Sequence, residues 1–179
     1  RPAAGIMAGH APPRPRAMTT AIVWFRRDLR LADNAALAHA LANADRVVPL
    51  YIHAPDELGA WAPGAASNWW LHGSLAALAQ ALEQRGARLV IRRAGSALAG
   101  LRAAIKDSGA TLVCWNRLYE PAEAARDSAI TSVLVAAGIE AASFAGHLLL
   151  EPGTVRTGSG GPYKVYTPFA RTARAQLTL

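Results

Sequence analysis

Two short blocks hold most of the residues whose types and spacing could do chemistry. The first, Trp24-Phe25-Arg26-Arg27-Asp28-Leu29-Arg30-Leu31 followed by Asp33-Asn34, sets three arginines and two aspartates directly after an apolar run. Such a set can form an ion-pair lattice that shapes a loop, or it can grip a polar, anionic ligand beside a helix N-terminus. The second block is Trp115-Asn116-Arg117-Leu118-Tyr119-Glu120-Pro121. An amide at Asn116 and a carboxylate at Glu120 could read the donor edge of a heterocycle, such as the amino-pyrimidine side of a pterin or flavin. Both could equally cap the helix that Pro121 begins.

Other candidates point away from catalysis. Cys114 sits inside an apolar strand pattern and reads as a small core residue rather than a nucleophile. Trp69 and Trp70 are adjacent on one helical turn, where neighbours point about 100° apart, leaving one free to stack on a cofactor or another domain. The expectation is nonetheless that both pack in the core. The Gly158-Ser159-Gly160-Gly161 stretch lacks the spacing of a phosphate loop and reads as a flexible linker. No HExxH, GxGxxG or GxSxG motif occurs, and the five histidines form no pair at metal-ligand spacing. Neither a catalytic residue nor a metal site is assigned.

These blocks must be positioned by the elements around them. Apolar runs at 21–25, 47–52, 89–91, 111–115 and 140–144 read as strands, and helical periodicity fills the gaps. Asp33 is the expected N-cap of the first helix (34–44) and Ser67 of the second, which shows Leu71, Leu75, Leu78 and Leu82 on its period and Gly86 at its end. Ser96 to Lys106 forms a third helix closed by Gly109, and Pro121 opens a fourth that runs toward Ala136. Alternating strands and helices predict an α/β fold: a Rossmann-like, doubly wound, five-stranded parallel sheet with helices on both faces. In such sheets ligands bind beyond the carboxyl ends of the strands, where the strand order reverses, so the loops after strands one to four are the place to look.

The 179 residues make about one domain. With 52% hydrophobic and 17% charged residues and a mean hydropathy of +0.14, the chain is too apolar to be unfolded throughout. Charged or amide residues interrupt every alanine-rich run, which excludes a membrane-spanning helix. The single cysteine excludes a disulfide scaffold and a four-ligand zinc module, and a cytoplasmic protein fits best. A net charge of +7 suits a polyanionic partner, although Arg1, Arg14 and Arg16 contribute three of those charges from a tail with no acid. Residues 1–18 are expected to form a disordered leader, 19–147 the α/β domain, and 148–179 a linker ending in a last helix from about Pro168.

Taken together, the ordered blocks resemble the N-terminal, antenna-binding domain of the DNA photolyase and cryptochrome family. The carriers are Trp24 to Leu31 with Asp33-Asn34, Pro63-Gly64 with Ser67 to Leu75, and Asn116 with Tyr119-Glu120-Pro121. They continue through Arg126-Asp127, Glu151-Pro152-Gly153 and Pro162 to Phe169, in the family's order and spacing. The resemblance is greatest to class I and class III cyclobutane pyrimidine dimer photolyases, and it departs at Asn68, where an arginine commonly precedes the paired tryptophans. It implies a domain that holds a light-harvesting pigment, with methenyltetrahydrofolate favoured and a deazaflavin or flavin as alternatives. The residues it nominates for that pigment are Glu120 first, then Asn116, Arg26, Arg30 and Asn34. It further implies a helical domain that carries FAD and binds damaged DNA, absent from this segment, so the parent would be a deoxyribodipyrimidine photo-lyase and the segment alone inactive. A cryptochrome-type blue-light receptor is the alternative parent. A stand-alone Rossmann-like nucleotide-binding domain is the alternative of another class, and it would predict a finished C-terminus where this sequence stops within a helix. Apolar surface at Trp69 or Trp70, Tyr166 and Phe169, normally facing the helical domain, predicts self-association of the segment.

Overall fold

A computed structural model describes residues 18–177. The leader expected over 1–18 therefore lies outside the described residues, apart from Met18. Five strands, β1 (Thr20–Phe25), β2 (Arg46–His53), β3 (Val90–Arg93), β4 (Leu112–Asn116) and β5 (Glu140–Phe144), form one sheet in the order β3-β2-β1-β4-β5. Every pairing is parallel. The helices α1 (Ala35–Asn43), α2 (Ala65–Glu83), α3 (Ala97–Ser108) and α4 (Pro121–Ala136) are the crossovers, and α5 (Tyr166–Gln176) follows a long connection.

Strand alternation divides the core into two layers. On β1, Ala21, Val23 and Phe25 face the layer built with Ala36 and Ala40 of α1 and Leu78 and Leu82 of α2. Ile22 and Trp24 face the opposite layer, with Leu101 of α3 and Ile130 and Leu134 of α4. All six residues of β1 are buried, as a central parallel strand covered on both faces requires. Cys114 of β4 is fully buried, and burial, then Glu140, pushes its thiol up to about 12, so it is a core residue and no nucleophile. The chain winds outward through β2 and β3, then α3 carries it back to pair β4 with β1, which puts the reversal of strand order between β1 and β4.

Several local expectations are corrected. Asp33 does not cap α1: it takes the left-handed conformation (φ 48°), and Asn34 is the cap, its Oδ1 accepting the Leu37 N–H at 3.0 Å. Asn is among the residues best able to cap, and Asp tolerates the left-handed turn before it. Ser67 does not cap α2, which starts three residues earlier than that cap requires, behind Gly64 and without a side-chain cap. The last helix begins at Tyr166, not Pro168, and buries none of its residues. Trp69 and Trp70, expected in the core, are 76% and 72% exposed. Their helix has 19 residues, about 28 Å at 1.5 Å each, against about 13 Å for the four residues of β3. Its buried positions begin only at Leu78, so the first turns run beyond the sheet edge.

Candidate functional site

The loop after β1 is built around a buried arginine. Arg26 donates from Nη1 to Asp127 Oδ2 at 2.6 Å and from Nη2 to the main-chain oxygen of Asn116, and its backbone N–H is held by Asp28 Oδ1 at 3.0 Å. It is 8% exposed, and its guanidinium lies 4.6 Å from the centre of the Trp24 ring. Burial lowers the Arg26 pKa, with Asp127 opposing that shift. Asp127 Oδ1 also accepts from Arg126 (Nη2, 3.1 Å), whose Nη1 reaches Glu57 Oε2 at 3.4 Å. Glu57 Oε1 in turn accepts the Ala97 N–H at 3.0 Å, the first residue of α3. An ion-pair chain thus links β1, α4, the 3₁₀ segment Pro55–Trp61 and α3 around the carboxyl edge of the sheet.

Arg27 occupies the outer side of the same loop. Its Nη1 pairs with Glu120 and its Nη2 donates to Glu123 Oε1 at 2.6 Å. Glu120 is half exposed, and a backbone hydrogen bond, Glu123 and Arg27 together hold its pKa at about 2. Glu123 is 7% exposed, and burial first, then its neighbour Glu120, push its carboxyl up. Its Oε2 is buried without a hydrogen-bond partner, as is Arg26 Nε.

Asn34 and Asn116 lock the loop to the next layer. Asn116, 2% exposed, accepts the Ala36 N–H on Oδ1 (3.2 Å) and donates from Nδ2 to Asp28 Oδ2 (2.6 Å) and Asn34 Oδ1 (3.0 Å). Arg30 donates to the Asp33 oxygen at 2.9 Å and the Gly146 oxygen at 2.6 Å. Gly146 is required by this approach, because a Cβ there would stand 2.4 Å from Asn116 Cβ. The linker is pinned nearby: Glu151 Oε1 accepts from Tyr119 Oη (2.6 Å) and Arg117 Nη2 (3.1 Å).

Above these loops lies a cleft of about 930 Å³, at the carboxyl ends of β1 and β2 and flanked by the first turns of α2 and α4. Trp24, Tyr51, Trp70 and Leu118 supply flat or apolar wall, and Arg26, Arg30, Glu57 and Glu123 supply charge. Burial raises the Tyr51 phenol. Of the five residues expected to bind a ligand, Arg26 and Arg30 border the cleft. Asn34, Asn116 and Glu120 do not, and serve as cap, tether and ion-pair partner. Sequence reasoning missed Glu123, Glu57 and Tyr51. Glu123 was accessible to it as the acid one helical turn after Glu120, on the face that turns inward; Tyr51 carried no signal beyond its place at the end of a strand.

The cleft has the size and lining of a small-molecule site. Its volume falls in the range of such sites, and both aromatic and charged residues line it. Among the described residues no helix is long and apolar enough to cross a membrane.

Comparison with known proteins agrees with this geometry. The family model for DNA photolyase matches residues 21–179. A deoxyribodipyrimidine photo-lyase of Agrobacterium fabrum is 49% identical over 150 residues, covering 84% of this chain and 30% of the relative. A bacterial class III photolyase from Agrobacterium tumefaciens superposes with a TM-score of 0.83 at 43% identity, over 93% of this chain and 34% of that one. An archaeal photolyase from Sulfolobus tokodaii, described with two FAD molecules and a novel light-harvesting cofactor, gives a TM-score of 0.67 at 28% identity, over 78% of this chain and 32% of its own. The chain spans about a third of the length of these relatives. By sequence match and by strand order, this chain belongs to the DNA photolyase family.

Proposed function

We propose that this chain is the pigment-holding domain of a light-driven deoxyribodipyrimidine photolyase, working beside a helical FAD-binding domain and, through it, on damaged DNA. The observation that carries the reading is the cleft of about 930 Å³ beyond the carboxyl ends of β1 and β2, lined by aromatic and charged residues. The pigment favoured is methenyltetrahydrofolate, with flavin or deazaflavin as competitors, and the compartment is the cytoplasm. When bound, the pigment would absorb near-ultraviolet or blue light and pass the excitation to reduced FAD in the helical domain, whose electron splits the pyrimidine dimer.

The residues of this chain divide the work of holding it. Arg26 and Arg30 border the cleft and give it positive charge, while Tyr51 and Trp70 offer ring faces for stacking. Asn116 and Asn34 act through the loop, by tethering Asp28 and the first turn of α1. Glu120 acts through Arg27, which it orients toward Glu123. The Arg26-Asp127-Arg126-Glu57 chain keeps the wall rigid when no ligand is present.

The test is the absorption and fluorescence of the purified chain between about 350 and 480 nm, alone and after incubation with each candidate pigment. A bound band that weakens on Arg30→Ala supports the reading. A colourless chain that retains none of the candidates would leave the domain a structural role.

A further inference from the structure

The excess positive charge of the chain gathers around one edge of the sheet. Residues 84–106 hold six cations, Arg85, Arg88, Arg92, Arg93, Arg102 and Lys106, and no acid, against a net charge of +7 for the whole chain. Arg85 and Arg88 flank the left-handed Gly86 in the turn from α2 to β3, Arg92 and Arg93 end β3, and Arg102 and Lys106 lie on α3. β3 is an edge strand, paired only with β2, and its alternation sends Arg92 toward α3 and Arg93 to the opposite face. On α3 the buried side is Ala97, Gly100, Leu101 and Ala104, so Arg102 and Lys106, four residues apart and both exposed, share the outer face. Arg92 pairs with Asp107, which ties the edge strand to the last turn of α3 beside Lys106.

This is not a balanced surface. Among the described residues Arg88, Arg93, Arg102 and Lys106 meet no carboxylate, and Arg85 donates only to the main-chain oxygen of Ala81 at 2.9 Å. Like charges four apart on a helix repel, so Arg102 and Lys106 cost stability rather than supply it. Guarding the open edge against another strand accounts for Arg92 and Arg93, but not for the four cations off the strand. Five of the six are arginine, whose planar fork matches phosphate. The stretch has no aromatic ring to stack on the bases of a single strand, and Ile91 is its one exposed large apolar side chain, too little for a membrane face. We propose that the β3 edge, the turn before it and the outer face of α3 form a contact surface for duplex DNA, holding its phosphate backbone without regard to sequence. None of the six cations borders the cleft, so the inference is independent of the pigment reading and survives a colourless chain. Such a surface adds affinity and steers association, and it takes no part in recognising damage.

The experiment titrates the full 179-residue chain against a labelled, undamaged duplex of about 30 base pairs and follows fluorescence anisotropy between about 50 and 200 mM salt. Each phosphate neutralised adds about −0.9 to the slope of log K against log salt, so the expected slope is steeper than about −2. Arg102→Gln combined with Lys106→Gln should make it shallower by about 1.8 and weaken binding about tenfold or more at the lowest salt. Arg14→Gln combined with Arg16→Gln removes the same charge from the N-terminal tail and should weaken binding less. Circular dichroism checks the fold of each variant, and Arg88→Gln with Arg93→Gln takes the place of the α3 pair if that one unfolds. A slope of about −2 or shallower overturns the proposal. So does a loss from the tail pair as large as that from the edge pair, or tighter binding to the corresponding single strand or to phosphatidylglycerol vesicles than to the duplex.

Discussion

Replacing Asn116 with Asp changes one atom of the buried hub and should cost more than its size suggests. The side chain is 2% exposed, and its Nδ2 donates to Asp28 Oδ2 at 2.6 Å and to Asn34 Oδ1 at 3.0 Å. Asn116→Asp turns that donor into an acceptor facing two acceptors, while the bond from the Ala36 N–H at 3.2 Å can survive. A hydrogen bond to a charged group contributes about 1.5 to 3 kcal/mol and a neutral one about 0.5 to 1.5, so the loss is about 2 to 4.5 kcal/mol at neutral pH. Two carboxylates at this separation cannot both ionise easily, so the new carboxyl has a folded-state pKa above its unfolded value of about 3.9. The folded variant then binds more protons than the unfolded one between those values, and its stability rises as the pH falls through that window. Urea unfolding followed by tryptophan fluorescence, at about pH 7.5 and again near pH 5, reads both effects. A variant within about 1 kcal/mol of the parent at the higher pH, or a deficit that widens on acidification, would refute the reasoning.

Gly146→Ala forces a Cβ to 2.4 Å from Asn116 Cβ, against about 3.5 to 4.0 Å for an ordinary carbon contact, and should destabilise by about 1 to 3 kcal/mol. Gly158→Ala, with nothing within 4 Å, is the matched control, and thermal unfolding of the two variants gives the comparison. The Tyr119 hydroxyl, followed by Arg117, lowers the Glu151 pKa, so the tie between linker and domain is fully present above the ordinary glutamate value of about 4.3 and is lost as the pH falls through the lowered one. Limited proteolysis of the linker across that range should show cleavage rising on acidification, and Glu151→Gln should flatten the profile. Trp69 and Trp70 expose adjacent rings, so light scattering should find concentration-dependent association that Trp69→Gln reduces, and a strictly monomeric parent chain would contradict this.

Much of the scaffold was legible because it rests on local rules. Periodicity in 21–25 and 111–115, the helix starts near Ser96 and at Pro121, and the left-handed glycines at 86 and 109 are consequences of backbone and side-chain sterics that a sequence displays directly. The order of motif blocks carried the family for the same reason, since each block sits in a loop at a fixed strand end. Local reading failed at Trp69 and Trp70, where helical spacing announced a buried face but the helix outruns the sheet that would cover it.

The sequence by itself determined that this is a parallel α/β domain of the photolyase type and that its chemistry gathers after the first and fourth strands. Which residues of those loops are free to meet a ligand was decided only by the tertiary structure. Asn116, Asn34 and Glu120 have side chains as capable as Glu123's, but their hydrogen-bonding capacity is taken up by Ala36, Leu37 and Arg27. Glu123 borders the cleft because α4 turns it inward beside Arg27, where burial and Glu120 push its carboxyl up. Apart from the local cap that Asn34 makes to Leu37, that allocation depends on contacts between residues about 80 to 100 positions apart, and no local pattern encodes them.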